Sequence, residues 1–288
     1  MNQTKVRCIV DTQNITLKTE DPISGDLMGC ISYDGYESAT RKAKAKISMY
    51  KQYAEEELDT LGKYMNRLNN KLKMLKIEEC RMNRVDIAID TNEYTFAKNL
   101  KMLLFIAELL TIRKIKNGDL WYNVDMRNLQ AHCIKFNPKN NNSFELAIYN
   151  KAKEQQGFNY ETRIEFRHKR LKGKIEDTEK WVKDTIDKLD GLEGRIEYVE
   201  QYMVARLTDL WELERNNVKS FSEFVRKYNN YFYTLNILKG VYSNAGLKGS
   251  YSGWLRDFRL TNELEFISKS HIKKFVASSK KSVKAYLK

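Results

Sequence analysis

Proline is scarce in this 288-residue chain, with Pro22 and Pro138 the only two. Glycine numbers just 13, so little in the chain forbids long helices. Histidine occurs three times, as His132, His168 and His271, without a His-x-His pair. The four cysteines, Cys8, Cys30, Cys80 and Cys133, have no C-x-x-C spacing. That excludes a zinc ribbon and offers no disulfide framework, so they read as reduced and packed. No run approaches the roughly 20 apolar residues of a membrane span, and the most apolar, Leu103–Leu110, already holds Glu108. The opening MNQTKVRCIVDTQN lacks the apolar stretch of a secretory signal. The expected setting is cytoplasmic, with no membrane partner.

What is abundant is positive charge. Lys and Arg total 51 against 38 Asp and Glu, a formal charge of +13. Such an excess gathers polyanions around the molecule and says nothing about fold. Nucleic acid is the commonest polyanion, so DNA is the expected partner. With 42% hydrophobic residues the chain holds enough apolar surface for a core.

Hydrophobic periodicity predicts an α+β protein: an antiparallel-rich central sheet with packed helices, followed by an all-α C-terminal region. Strands are expected at Val6–Val10 and Gly29–Tyr33, with turn residues around Pro22 between them. Ile47, Tyr50, Ala54, Leu58, Leu61, Met65, Leu68, Leu72 and Leu75 advance in steps of three and four. They predict one helix over 38–75, lying across a sheet or forming a coiled-coil seam. Arg41, Lys42, Lys44 and Lys46 cluster at its start, where the macrodipole disfavours them unless an anion offsets them. Further strands are expected at 83–90, 120–124, 132–136, 144–149 and 161–166, with a hairpin connection through NPKNNNS, and a helix at 94–110. Beyond Lys172 the pattern is helical, at 177–189, 195–213 and 220–238 and in a final short pair. The expected domains are therefore 1–172 and 173–288.

Three strands share a polar alternate face. RVDIAID sets Arg84, Asp86 and Asp90 opposite Val85, Ile87 and Ile89. FELAIYN sets Glu145, Ala147 and Tyr149 opposite Phe144, Leu146 and Ile148. YETRIEFR sets Glu161, Arg163, Glu165 and Arg167 opposite Thr162, Ile164 and Phe166. If the strands are neighbours, the face is either a lattice of cross-strand ion pairs or a site. As a site, Asp86, Asp90 and Glu165 are hard oxygen donors suited to Mg²⁺ or Mn²⁺. Arginines such as Arg163 would offset phosphate charge, and Tyr149 would attack phosphorus with Lys151 favouring its phenolate. His168, at the end of its strand, reads as a ligand or as polar surface.

The series RVDIAID, AIYNKAKE, YETRIEFR resembles the motifs of rolling-circle replication initiators of the trans-acting Rep class and of related relaxases of Gram-positive mobile elements. Those show R-x-D-x-x-x-D, then Y-[DN]-K-x-x-E, then R-x-E. The resemblance covers about a third of the chain. It implies that Tyr149 is the nicking nucleophile and Lys151 its companion, and that Asp86, Asp90 and Glu165 hold a divalent metal. It further implies origin DNA, duplex and single-stranded, as the substrate and a host helicase as a further partner. The chain departs from the wider endonuclease superfamily in lacking a His-x-His pair. Two other readings stay open: a non-catalytic DNA-binding regulator on the same scaffold, and a phage-type inhibitor that occupies a nucleic-acid site on a partner protein. The oligomeric state is open, a dimer included.

The C-terminal segment 263–288 has the cadence of a helix-turn-helix with a turn at Ala277-Ser278-Ser279, or of a basic amphipathic tail. Either form offers Lys280, Lys281 and Lys284 to DNA, beside Arg84 and Arg167 on the sheet. The aromatics Tyr228, Tyr231, Phe232, Tyr233, Tyr242, Tyr251 and Trp254 are expected mainly in the core.

Overall fold

The computed structural model describes residues 6–18, 26–27, 30–37, 41–75, 77, 80–96, 98–111, 122–123, 133–138, 143–155, 158–261 and 264–288. The turn expected around Pro22, the connection at 139–142 and His132 lie outside them. The fold class is α+β, as the periodicity predicts. The chain divides into two compact units, Met1–Phe96 with Arg113–Asp190 and Ala277–Lys288, and Ala97–Ile112 with Gly191–Val276. The division is thus not one cut near Lys172, because the chain crosses between the units more than once.

The first unit is built on a sheet of strands β1 (Val6–Lys18), β2 (Asp26–Leu27), β3 (Ile31–Glu37), β4 (Lys42–Ile47), β5 (Cys80–Thr91), β6 (Tyr122–Asn123), β7 (Cys133–Pro138), β8 (Phe144–Asn150) and β9 (Thr162–Gly173). Their order is β2-β3-β4-β1-β5-β9-β8-β7-β6, and all the pairings are antiparallel. On one face Val85, Ile87, Ile89, Leu146, Ile148, Ile164 and Phe166 make the core. Helix α1 (Leu61–Met74) lies on that face, where Tyr64 Oη donates to Gln13 Oε1 at 3.0 Å. Thr60 starts the helix by accepting from Lys63 N–H, and Leu61, Tyr64, Leu68 and Leu72 form its buried stripe. Helix α2 (Leu100–Thr111) belongs to the second unit and α3 (Lys151–Glu154) is a single turn after β8. Helix α4 (Thr178–Asp190) returns to the sheet, where Gln13 Nε2 donates to Thr178 Oγ1 at 2.7 Å.

The expected helix over 38–75 exists only in its second half. Residues 42–47 form β4, with Ala43, Ala45 and Ile47 buried and Lys42, Lys44 and Lys46 exposed. Two short 3-10 turns, Met49–Lys51 and Glu55–Leu58, then lead to α1. A period of two in KAKAKI competed with the three-four stripe. Pairing with β1 and β3 on either side decided for the strand.

In the second unit, α5 (Ile196–Glu214), α6 (Phe221–Lys227), α7 (Leu235–Asn244) and α8 (Tyr251–Thr261) enclose an aromatic core. Trp211, Phe221 and Phe224 are buried there; of the aromatics expected in the core, Phe232, Tyr233 and Tyr242 are buried, and Tyr228, Tyr231, Tyr251 and Trp254 are half-buried. The expected helix over 220–238 is two helices, each started by a side-chain cap, Ser220 and Thr234. The C-terminal segment is one helix, α9 (Lys269–Tyr286), with no turn at 277–279. Ser279 sits on its buried side with Val283 and Tyr286. The helix-turn-helix reading is therefore replaced by a single amphipathic helix. None of the helices among the described residues is long and apolar enough to cross a membrane.

Candidate active site

The register of β1, β5, β9 and β8 gathers the polar alternate positions into rows. One row runs Arg7, Asp90, Arg163, Tyr149. The next runs Ile9, Ala88, Glu165, Ala147, and a third places Asp86, Arg167 and Glu145 side by side. The sequence-predicted residues Asp86, Asp90, Tyr149, Arg163, Glu165 and Arg167 thus share one sheet face. Ala88 and Ala147 flank Glu165, so its carboxylate stands between two rows of large side chains. A register shift in β1 between Val10 and Thr12 turns Asp11 toward the same network.

Every charged group here has a partner. Arg163 holds Asp90 with two parallel bonds, Nε to Oδ1 at 2.6 Å and Nη2 to Oδ2 at 2.9 Å, and also donates to Asp11. Arg7 reaches Asp90 Oδ2 at 2.9 Å while its guanidinium lies 4.6 Å from the Tyr160 ring centre. Arg84 grips Asp86 through both oxygens, at 2.7 and 2.6 Å. Arg167 bridges Glu165 Oε2 at 2.8 Å and Glu145 Oε1 at 2.5 Å, and Lys169 also donates to Glu145. The Tyr149 hydroxyl donates to Glu165 Oε1 in a short hydrogen bond. The face is nevertheless inside the protein: Tyr149 is 8% exposed, Glu165 3% and Asp90 0%. Phe158 stacks over Arg7 and Arg163, with its ring centre 5.2 and 5.1 Å from their guanidinium carbons.

Burial drives the ionisation of this face, and the guanidinium groups oppose it. Burial, then the neighbouring Glu165 charge, pushes the Tyr149 phenol far above its usual range, while Arg163 pulls the other way. Burial raises Asp86 to about 6, against the pull of Arg84. Burial would also raise Asp11, but Arg163 and Lys151 outweigh it and hold that carboxyl below the usual range. Glu145 is likewise lowered: Lys169 and Arg167 overcome its burial. Arg163 stays charged because Asp90 and Asp11 outweigh its desolvation.

The carboxylates do not fit one metal ion in common. Asp86 and Asp90 lie four residues apart on β5, about 13 Å between Cα atoms at strand spacing. Two aspartate side chains cannot close that gap onto an ion that needs bonds of about 2.1 Å. Among the described residues no group of three His, Cys, Asp or Glu side chains is placed to hold a metal. On this spacing Asp86 and Asp90 do not reach one ion together. What the arrangement holds instead is a phenol on a carboxylate, with a guanidinium fixing that carboxylate. Nucleophile, base and orienting group are arranged in this way in covalent catalysis.

Of the remaining expected residues, Lys151 lies with its ammonium 5.6 Å from the Tyr149 ring centre and pairs with Glu154. Lys281 lines a cavity of about 510 Å³ together with Arg7, Tyr160, Glu93 and Ser282. Lys280 is bound to Asp190, and Lys284 is exposed. His168 is not on the surface. It is buried on the apolar face, 5.0 Å from the Trp181 ring, and burial lowers its pKa to about 4. Arg7, Asp11, Glu145 and Lys169 join the network without having been assigned to it. Glu145 was legible from alternation, whereas Asp11 depends on a bulge.

No family model matches the chain, and no curated protein matches it. Among solved structures, that of a rolling circle replication initiator protein from Geobacillus stearothermophilus is similar over 57% of this chain and 74% of that one, at 15% identity and a TM-score of 0.31. A likeness at that level leaves the functional reading to the site itself.

Proposed function

We propose that this protein is a DNA-binding replication-initiation protein that cuts one strand at an origin through Tyr149. The observation that supports the reading is the short hydrogen bond from the Tyr149 phenol to Glu165, whose other oxygen is held by Arg167. A phenol pushed upward by burial is a poor nucleophile until a base takes its proton. Glu165 is that base, within hydrogen-bond reach, and Arg167 holds it in place. In the step, the phenolic oxygen bonds to phosphorus and its proton passes to Glu165. The bond from phosphorus to the 3′ oxygen of the preceding deoxyribose breaks, and that oxygen takes a proton from water, leaving Glu165 protonated. Attachment to the 5′ end is the polarity the motif resemblance implies. Arg163 and Lys151 supply positive charge beside the reacting oxygen.

Supercoiled origin DNA from the element that encodes the protein, incubated with Mg²⁺ or Mn²⁺, tests the reading. Wild-type protein should convert it to open circles, and Tyr149→Phe should not. Glu165→Gln, which keeps the shape but loses the base, should slow the step by about 10²- to 10⁴-fold. A second reading, a DNA-binding regulator that never cuts, draws on the burial of Tyr149 and the pairing of every carboxylate. It predicts tight origin binding with no open circles from any variant.

A further inference from the structure

Strand β4 carries an exposed ladder of lysines that the proposed cutting step does not use. Lys42, Lys44 and Lys46 alternate outward while Ala43, Ala45 and Ile47 are buried. Their face is the polar face of the sheet. Lys46 is in register with Asn14 on β1, Asn14 with Arg84 on β5, and Arg84 with Lys169 on β9. Lys44 is in register with Thr16, and Thr16 with the exposed Arg81. Cations therefore recur on β4, β5 and β9 of this face, with the neutral Asn14 and Thr16 of β1 between them.

Lysines often guard the edges of sheets, but β4 lies between β3 and β1 and has no free edge. Lys44 and Lys46 are in register with Thr16, Asn14 and Ser32. No ion pair links Lys42, Lys44, Lys46 or Arg81 to a carboxylate among the described residues. An external polyanion would offset their charge.

We propose that Lys42, Lys44 and Lys46, with Arg81, form a track for the phosphate backbone of single-stranded DNA on the sheet face that carries Tyr149. The inference rests on the reading of this protein as one that handles a DNA strand. Alternate residues on a strand stand ~6.7 Å apart. That is of the order of the spacing between successive phosphates in an extended single strand. The proposed cutting of one strand makes a single strand the occupant.

The test is equilibrium binding of an oligothymidine in EDTA, where no cutting occurs, for the parent and for a Lys42→Ala, Lys44→Ala, Lys46→Ala variant. Three phosphate contacts at about 0.7 each contribute ~2 to the slope of log affinity against log salt. The parent should therefore lose roughly twentyfold more affinity than the variant between about 50 and 200 mM salt. Replacing all three lysines by arginine should retain the slope. Lys44→Glu should weaken binding from a single exposed position, with the fold checked by circular dichroism. An alanine variant with the parent's slope and affinity overturns the proposal, as does a parent that does not bind the probe. Equal loss on duplex and single strand overturns the choice of single strand. If the ladder variant loses its slope while the parent never forms a tyrosine adduct with origin DNA, the track stands and the cutting reading falls. If the adduct forms and the slope is unchanged, the track falls alone.

Discussion

Asp86 and Arg163 show how a buried charged face is held, and each makes a prediction. Asp86 is raised to about 6, so the folded protein binds its proton more tightly than the unfolded chain does. Its contribution to stability therefore declines as pH rises from about 4 to 6 and is flat outside that window. Asp86→Asn should flatten that segment of a chemical-denaturation stability profile; an unchanged profile would mean Asp86 titrates normally. Glu145 and Asp11 have the opposite sign. Their stabilisation is present above the usual carboxylate range and is lost as pH falls through their lowered values. Arg163 is 2% exposed and satisfies Asp90 and Asp11. Removing one partner of a buried pair costs about 3–5 kcal/mol, so Arg163→Ala should lower unfolding free energy by that amount. Arg163→Lys should recover little, since one ammonium cannot replace the bidentate fork. A loss below about 1 kcal/mol would show the face to be wet and the pair to be worth no more than a surface one.

At the scale of elements, strands with strict alternation were the most legible. RVDIAID, FELAIYN and TRIEF fall in β5, β8 and β9 with the expected residues facing each way. Which strands neighbour one another, and so which side chains meet, comes from long-range pairing that no local pattern encodes. The stretch 38–60 misled because its apolar residues fit a helical stripe while its lysines fit a strand. Pairing partners settled the matter, and they lie elsewhere in the chain. Helix α9 was legible as amphipathic, but the small residues at 277–279 lie within the helix and make no turn, Ser279 on its buried side. Tight helix packing was not legible at all. A Cβ added at Gly240 in α7 would stand 2.6 Å from Val204 Cγ2 in α5. Gly240→Ala gains up to about 1 kcal/mol of helix propensity but overpacks at a cost of about 1–3 kcal/mol. It should lower the urea midpoint, and adding Val204→Ala should restore much of the loss. A stabilised single variant would mean the two helices separate easily.

For the molecule as a whole, the +13 charge predicts DNA binding whose logarithm falls linearly with log salt, by about 0.9 per duplex phosphate contacted. Changing Lys280, Lys281 and Lys284 together to Ala should weaken that binding across sequences. Lys280→Ala alone should change little, because Lys280 is already bound to Asp190. Affinity that is flat with salt would remove the electrostatic account. The central claim, however, is chemical: Tyr149 attacks phosphorus with Glu165 as its base. The most direct measurement is covalent capture. Wild-type protein, incubated with labelled single-stranded origin DNA and a divalent ion, is denatured in SDS, digested with protease and analysed by mass spectrometry. The account predicts an SDS-resistant, protease-sensitive adduct whose nucleotide mass maps to the peptide containing Tyr149 and is lost in Tyr149→Phe. An adduct on another residue, or its persistence in Tyr149→Phe, would contradict it.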